Sequence, residues 1–319
     1  MIKDTTQVKV ILTAITALLF TIQVYGQNIT SQDYYLQDSR SYFSLQFDND
    51  TYYYTDYYYT YGLEAKYKLP AFSRVPWTGI IPKVKEAMDL TSELILSQRL
   101  YTPQNIRDTL VQFNDRPFSA TLELDQRFMS YHENGLSFIT TIRLGIMGPA
   151  AGGEALQRLI HDWINSPDPQ GWDYQLKNGV IINFDFLVSY PIIHNKTLNL
   201  SILASARLGT LFDELGAGMN FSFGNTRKSD IKKLKYYLTL DATTKLVGYN
   251  ALLQGGLFTE NDPYVLSYSQ ITPFVFSANM SIGVSWYGVG LSIGHNFLSR
   301  EFDSGTNHNY ASIKLAYQF

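Results

Sequence analysis

The chain has 319 residues, 45% of them hydrophobic and only 17% charged, which is ample for one large domain. Its 25 basic and 28 acidic residues nearly balance, which argues against a nucleic-acid footprint, and no nucleic-acid partner is expected. Cysteine is absent, excluding disulfides, thiolate metal sites and a thiol nucleophile, whereas 24 Tyr and 19 Phe are many for a soluble globule.

Lys3 and Lys9 precede an apolar run from Val10 to Val24, which ends at Val24-Tyr25-Gly26. Valine and glycine at the third-last and last positions fit an export cleavage site. The expectation is a signal peptide over 1–26 and a mature domain over 27–319, with a retained anchor helix as the alternative. The run is short for a bilayer span, and nothing later reaches 18 apolar residues. Removing Lys3, Lys9 and Asp4 with the segment leaves 23 basic and 27 acidic residues.

Beyond it, apolar and polar residues alternate in short runs. Strands are predicted at about 41–50, 57–69, 92–101, 117–130, 135–147, 175–190, 196–210, 214–224, 234–248, 268–285, 286–302 and 308–319. In the second run Leu63, Ala65, Tyr67 and Leu69 face one way; Thr60, Gly62, Glu64, Lys66 and Lys68 face the other. Charges at every second position opposite an apolar stripe suit a lumen facing a lipid-exposed wall. The last run alternates up to a terminal Phe319. The predicted fold is therefore an all-β transmembrane antiparallel barrel of about twelve strands, with a secreted β-sandwich as the alternative. An even strand count lets the first and last strands pair and leaves no open edge in hydrocarbon.

With both termini on the periplasmic side, the turns after strands four, six and ten should be short. They read as His132-Glu133-Asn134-Gly135, Ile193-His194-Asn195-Lys196 and Tyr287-Gly288. The long connections at about 102–116, 148–174 and 249–267 then fall on the extracellular side. Pro70–Thr91 is the misfit, a periplasmic connection of over 20 residues with a short helix expected around Lys83–Asp89.

The first polar constellation is Asp48-Asn49-Asp50 at the end of strand one, followed by Thr55-Asp56 and Tyr59-Thr60-Tyr61-Gly62. Parity aims Asp48, Asp50 and Thr60 inward and Asn49 outward, unless a bulge re-aims them. Such clustered oxygens can hold a hard cation such as Ca²⁺; a solvated hairpin loop is the other reading, with the tyrosines as an interfacial girdle.

The second is a helix at Gly152–Ile164 in the long connection after strand five. Leu156, Leu159, Ile160 and Trp163 form an apolar face expected to dock on the barrel wall. Glu154, Gln157 and His161 share the other side. His161 is either a base or a hydrogen-bonding residue on a plugging helix. His132 and His194 read as turn residues, His295 as interfacial or lipid-facing, and His308 as opening the last strand or lying in the loop before it, all without obvious partners.

Taken together, Phe47-Asp48-Asn49-Asp50, Thr55-Asp56, Tyr59-Thr60-Tyr61-Gly62, Tyr101-Thr102-Pro103, Asp115-Arg116-Pro117-Phe118-Ser119-Ala120, Gly148-Pro149-Ala150-Ala151-Gly152-Gly153, Gln157, His161, Trp172, Gln175 and Ser299-Arg300-Glu301-Phe302 resemble the outer-membrane lipid A 3′-O-deacylase family. The resemblance implies a twelve-stranded barrel with its site between the wall and an extracellular helix, and Ca²⁺-assisted hydrolysis of an acyl ester on lipid A of outer-leaflet lipopolysaccharide. It implies that His161 is the general base, that Asn49 and Asp50 organise the cation site, and that Thr60 supports that rim. Arg107 would bind a lipid A phosphate. The chain departs from the family where a glutamate after the helix histidine is replaced by Pro167 and Asp168, where a basic pair is reduced to Arg107, and at Asn178-Gly179. An outer-membrane phospholipase, and a pore or structural barrel without catalysis, are the competing functions.

Overall fold

A computed structural model describes residues 41–319 apart from 84–86, 88 and 226–230, so the expected signal peptide lies outside the described residues. Twelve antiparallel strands close into one barrel: β1 (Tyr42–Asn49), β2 (Tyr58–Lys68), β3 (Asp89–Thr102), β4 (Ser119–Tyr131), β5 (Ser137–Met147), β6 (Gly179–His194), β7 (Leu198–Gly209), β8 (Phe212–Gly224), β9 (Lys235–Asn250), β10 (Phe274–Trp286), β11 (Val289–Leu298) and β12 (His308–Gln318). β1 pairs with β12 from Tyr42 opposite Gln318 to Asn49 opposite Ala311, so neither edge is open. The expected strand number and closure hold.

Alternation separates two environments. Phe43, Leu45, Phe47, Leu63, Leu96, Leu122, Leu124, Leu144, Ile313 and Leu315 project outward and are exposed. The inward positions carry charge, packed as a ladder of ion pairs. Arg99 bridges Glu64 at 3.4 Å and Glu123 at 2.8 Å. Arg143 reaches Glu123 and Asp125, and Arg207 links Asp185 to Glu214, which also holds Lys245 at 3.1 Å. Charges taken out of water are tolerated only when so paired. Above the ladder, Tyr59, Tyr101, Leu211, Leu252 and Tyr310 belong to an apolar cluster that closes the lumen. Beneath this plug a cavity of about 140 Å³ remains.

The connections follow the expected asymmetry. β10 and β11 join through Tyr287-Gly288, with φ of 50° and 81°, a pair of left-handed residues whose twist suits a two-residue hairpin. β6 starts four residues later than expected because the chain before it is captured by a loop: Leu176 N–H donates to Phe118 O at 3.0 Å. β10 starts at Phe274, since Tyr268–Gln270 form a capped 3-10 turn. The misfit connection after β2 makes 3-10 turns at Pro70–Arg74 and Pro76–Gly79. Its Phe72 and Pro82 carbonyls accept from Gln126 and Thr140, fastening it to the outside of the wall. The helix expected around 83–89 lies largely outside the described residues, and Asp89 begins β3.

Candidate active site on the outer face of the wall

The helix α1 (Gly153–Ile164) lies on the outside of the barrel, over the long-loop ends of β2 to β5. It covers the outward side chains Tyr61, Leu100, Ala120 and Ile146, together with Phe118 and Trp172. The row of α1 buried against this surface is Gly153, Gln157 and His161. Gly153 permits the approach, since a Cβ there would stand 2.4 Å from that of Ala120. This corrects the expected docking of the whole apolar face. Leu156 and Ile160 do pack on the wall cluster, but Leu159 and Trp163 are exposed. The polar row takes the inner position because its groups find partners there. Trp172 Nε1 donates to Gln157 Oε1 at 2.7 Å, and Gln157 Nε2 reaches Asp56 Oδ1 at 3.4 Å.

His161 is held at both ring nitrogens. Nδ1 lies 2.6 Å from the Pro167 carbonyl, which fixes a proton on Nδ1. Nε2 lies 3.3 Å from Asp56 Oδ2. The bond to Asp56 raises the imidazole above its ordinary value, against the opposing effect of burial; the Pro167 carbonyl and the charge of Asp168 push the same way. Asp168 itself pairs loosely with Arg158 at 3.7 Å. The position where the family's glutamate was expected thus contributes a main-chain oxygen to the histidine.

The loop between β1 and β2 supplies the other half. Asn49 faces outward as parity predicts, and its amide brackets the loop: Nδ2 donates to Thr60 O at 2.9 Å, and Oδ1 accepts from Thr51 N–H at 2.8 Å. A bulge between Tyr59 and Tyr61 makes Thr60 the extra residue of β2. Thr60 therefore supports the rim through its carbonyl, while its buried hydroxyl oxygen has no hydrogen-bond partner. Asp50 Oδ2 accepts from Tyr57 N–H at 3.1 Å, whereas buried Oδ1 is unpartnered. Burial, aided by the nearby charge of Asp56, pushes the Asp50 carboxyl up to about 8. The orphaned oxygens, one on the loop at Asp50 and one at the start of β2 on Thr60, suit a hard cation in kind. Among the described residues, no group of three His, Asp or Glu side chains forms a protein-only metal cage.

Asp56 joins the two halves, touching His161 and Gln157 on α1 and acting electrostatically on Asp50. Sequence reasoning quoted Asp56 in a motif without a role; its position five residues before Tyr61 gave no hint that it meets the helix. Arg107 stands apart from this cluster, exposed on the loop after β3. Its neighbour Ile106 belongs to the apolar cluster that also contains Leu156 and Ile160 of α1.

The remaining histidines all have partners. His194 meets Asn199 at 2.9 Å, and His132 Nδ1 accepts from Asn134 N–H. His295 bonds the Tyr53 hydroxyl. His308 opens β12 as expected and is buried there, with Nε2 on Tyr59 O.

Comparison with solved structures places LpxR from Salmonella typhimurium at a TM-score of 0.71 and 22% identity, over 87% of this chain and all of that one. The translocator domain of autotransporter NalP from Neisseria meningitidis gives 0.47 at 10% identity, over 99% of this chain and all of that one. No curated protein matches. The family model described as "Outer membrane protein LpxR" matches residues 12–319, nearly the whole sequence. The chain accordingly belongs to the LpxR family of outer-membrane proteins.

Proposed function

We propose that this protein hydrolyses an acyl ester of lipid A in the outer leaflet, releasing a 3′-linked chain. The observation that carries the reading is the setting of His161: a ring fixed at Nδ1, on the outside of the wall, linked through Asp56 to the loop that carries Asp50. A soluble substrate would have no need of a site there, whereas a lipid reaches it laterally from the bilayer.

The residues divide the work. With Nδ1–H on the Pro167 carbonyl, neutral His161 presents its lone pair at Nε2. Water attacks the ester carbonyl as Nε2 takes its proton, a contribution of about 10²–10⁴-fold for a positioned base. The acyl C–O bond then breaks, and Nε2 returns the proton to the sugar oxygen, leaving a free fatty acid. Asp50 Oδ1 and Thr60 Oγ1 would hold Ca²⁺, with Asn49 shaping their loop. Bound there, the ion would stabilise the developing oxyanion, an effect of roughly 3–4 kcal/mol in comparable sites. Arg107 supplies the positive charge at the rim for a lipid A phosphate.

Against the competing pore, the lumen is filled by ion pairs and closed by the tyrosine–leucine plug. The phospholipase differs only in substrate. Purified protein offered Ca²⁺ with either lipid A or a glycerophospholipid in mixed micelles separates them by the fatty acid released. Release from lipid A alone is expected; release from the glycerophospholipid alone would replace this reading.

A further inference from the structure

The exposed flank of α1 has a consequence for how the protein sits in its membrane. Leu159, Trp163 and Ile164 are 66%, 87% and 49% exposed, an unusual concentration of large apolar side chains on one helix. The helical repeat places Leu159 and Trp163 beside Leu156 and Ile160, which pack on the wall cluster, and puts Arg158 and Asp162 further round, toward Glu154. One flank of α1 is therefore apolar beyond its docking contacts, and the other is charged.

The wall beneath α1 continues into the outward-facing apolar belt. α1 covers Tyr61, Leu100, Ala120 and Ile146. Two residues further along the same outward rows stand Leu63, Gln98, Leu122 and Leu144, and the three leucines are exposed as part of the lipid-facing belt. Two residues along a strand are about 7 Å, less than the diameter of a helix with its side chains. Gln98, the one polar member of that row, donates its amide to Ala151 O at 2.6 Å and so ties the helix entrance to the belt. The helix thus rests directly on the edge of the hydrocarbon-facing surface.

We infer that Leu159 and Trp163 are inserted in the lipid leaflet at the long-loop end, making α1 an interfacial helix that anchors the site at the boundary between headgroups and acyl chains. An amphipathic helix with Trp and Leu on one face and charge on the other is the form that lies in this plane. Tryptophan is enriched at that depth because its ring is apolar and its N–H needs a wet partner. The inference rests on the outer-membrane family and the exposed belt, not on the deacylase reading.

The absence of cysteine makes the test direct. Leu159→Cys and Trp163→Cys are each made in the full chain, spin-labelled and reconstituted into phosphatidylcholine vesicles. Leu45→Cys in the belt and Tyr54→Cys, at a loop position 99% exposed, bracket the scale. Collision with oxygen relative to a water-soluble nickel chelate is expected at 159 and 163 to be on the order of tenfold above the ratio at 54, approaching that at 45. A ratio at both positions equal to that at 54 would overturn the inference. So would a ratio that falls on diluting the protein among vesicles, since a second copy would then cover the face. Heat-modifiable mobility of each variant reports folding, and the two positions are read independently. Repeating the series in a His161→Ala background separates depth from catalysis: the ratios are expected to be unchanged.

Discussion

Asp56 Oδ2 faces His161 Nε2 at 3.3 Å while the opposite ring nitrogen is committed to the Pro167 carbonyl. Both contacts are satisfied together only by the protonated ring, which is why the imidazole is raised above its ordinary value. A base must be neutral to accept a proton, so activity should rise with pH as His161 loses its proton. Asp56→Asn removes the leading cause of the raised value. Its acidic limb is expected to move to lower pH, with kcat/KM reduced about 10²-fold through lost positioning. A pH–rate profile of the variant measures both; an unmoved limb would remove Asp56 from the account.

Asp50 gives a second pH dependence. Its carboxyl, pushed up to about 8 by burial, is mostly protonated at neutral pH in the absence of a cation. A cation bound there must displace that proton. Calcium affinity is therefore expected to tighten by about tenfold per pH unit up to about pH 8 and then level off. Calorimetric titrations of detergent-solubilised protein at pH 6, 7 and 8 test this, and chelation should abolish hydrolysis. Affinity independent of pH would place the ion elsewhere.

Arg116 and Glu301 come from the two loops after β3 and β11, and their side chains meet at 3.0 Å with the guanidinium over the Tyr101 ring. Arg116→Met leaves Glu301 with no opposite charge and only the long Asn250 amide contact at 3.4 Å, at a cost of about 3 kcal/mol. Hydrogen exchange should quicken in 103–118 and 299–307, while the strands stay protected. Equal exchange in both proteins would show that the pair does not clamp the mouth.

Within the lumen Arg143 serves Glu123, Asp125 and Asp185 together. Arg143→Leu leaves Asp125 without its ion pair and takes one cation from Glu123 and Asp185, which keep Arg99 and Arg207, and is expected to lower refolding stability by about 3 kcal/mol, read from urea midpoints in detergent. The intact protein in a planar bilayer should show no steady conductance, since Tyr59, Tyr101 and Tyr310 help to close the lumen above this network.

How much of this was legible in the sequence follows from the range of each interaction. Alternation is local, so Leu63 against Glu64 and Lys66 identified both faces of β2, and a run of such patterns identified the barrel. The parity that sends Asn49 outward was equally local. What failed were contacts that only assembly creates. Nothing near Asp56 announces a helix over 90 residues away, and nothing in Leu159 or Trp163 says which part of an apolar face meets the wall. Gly153 decided that, by allowing the row with Gln157 and His161 to come closest. The extra ends expected for β6 and β10 carry one aliphatic residue each, Leu176 and Ile271, and they fold as a loop and a 3-10 turn. Arg116 and Glu301 were each quoted in a motif; their pairing needed the fold.

The most direct test is mass spectrometry of lipid A from cells expressing this chain, beside cells expressing His161→Ala. The account predicts the loss of one 3′-linked hydroxyacyl or acyloxyacyl unit with the wild-type chain and unmodified lipid A with the variant. Identical spectra from two folded, surface-located proteins would contradict it.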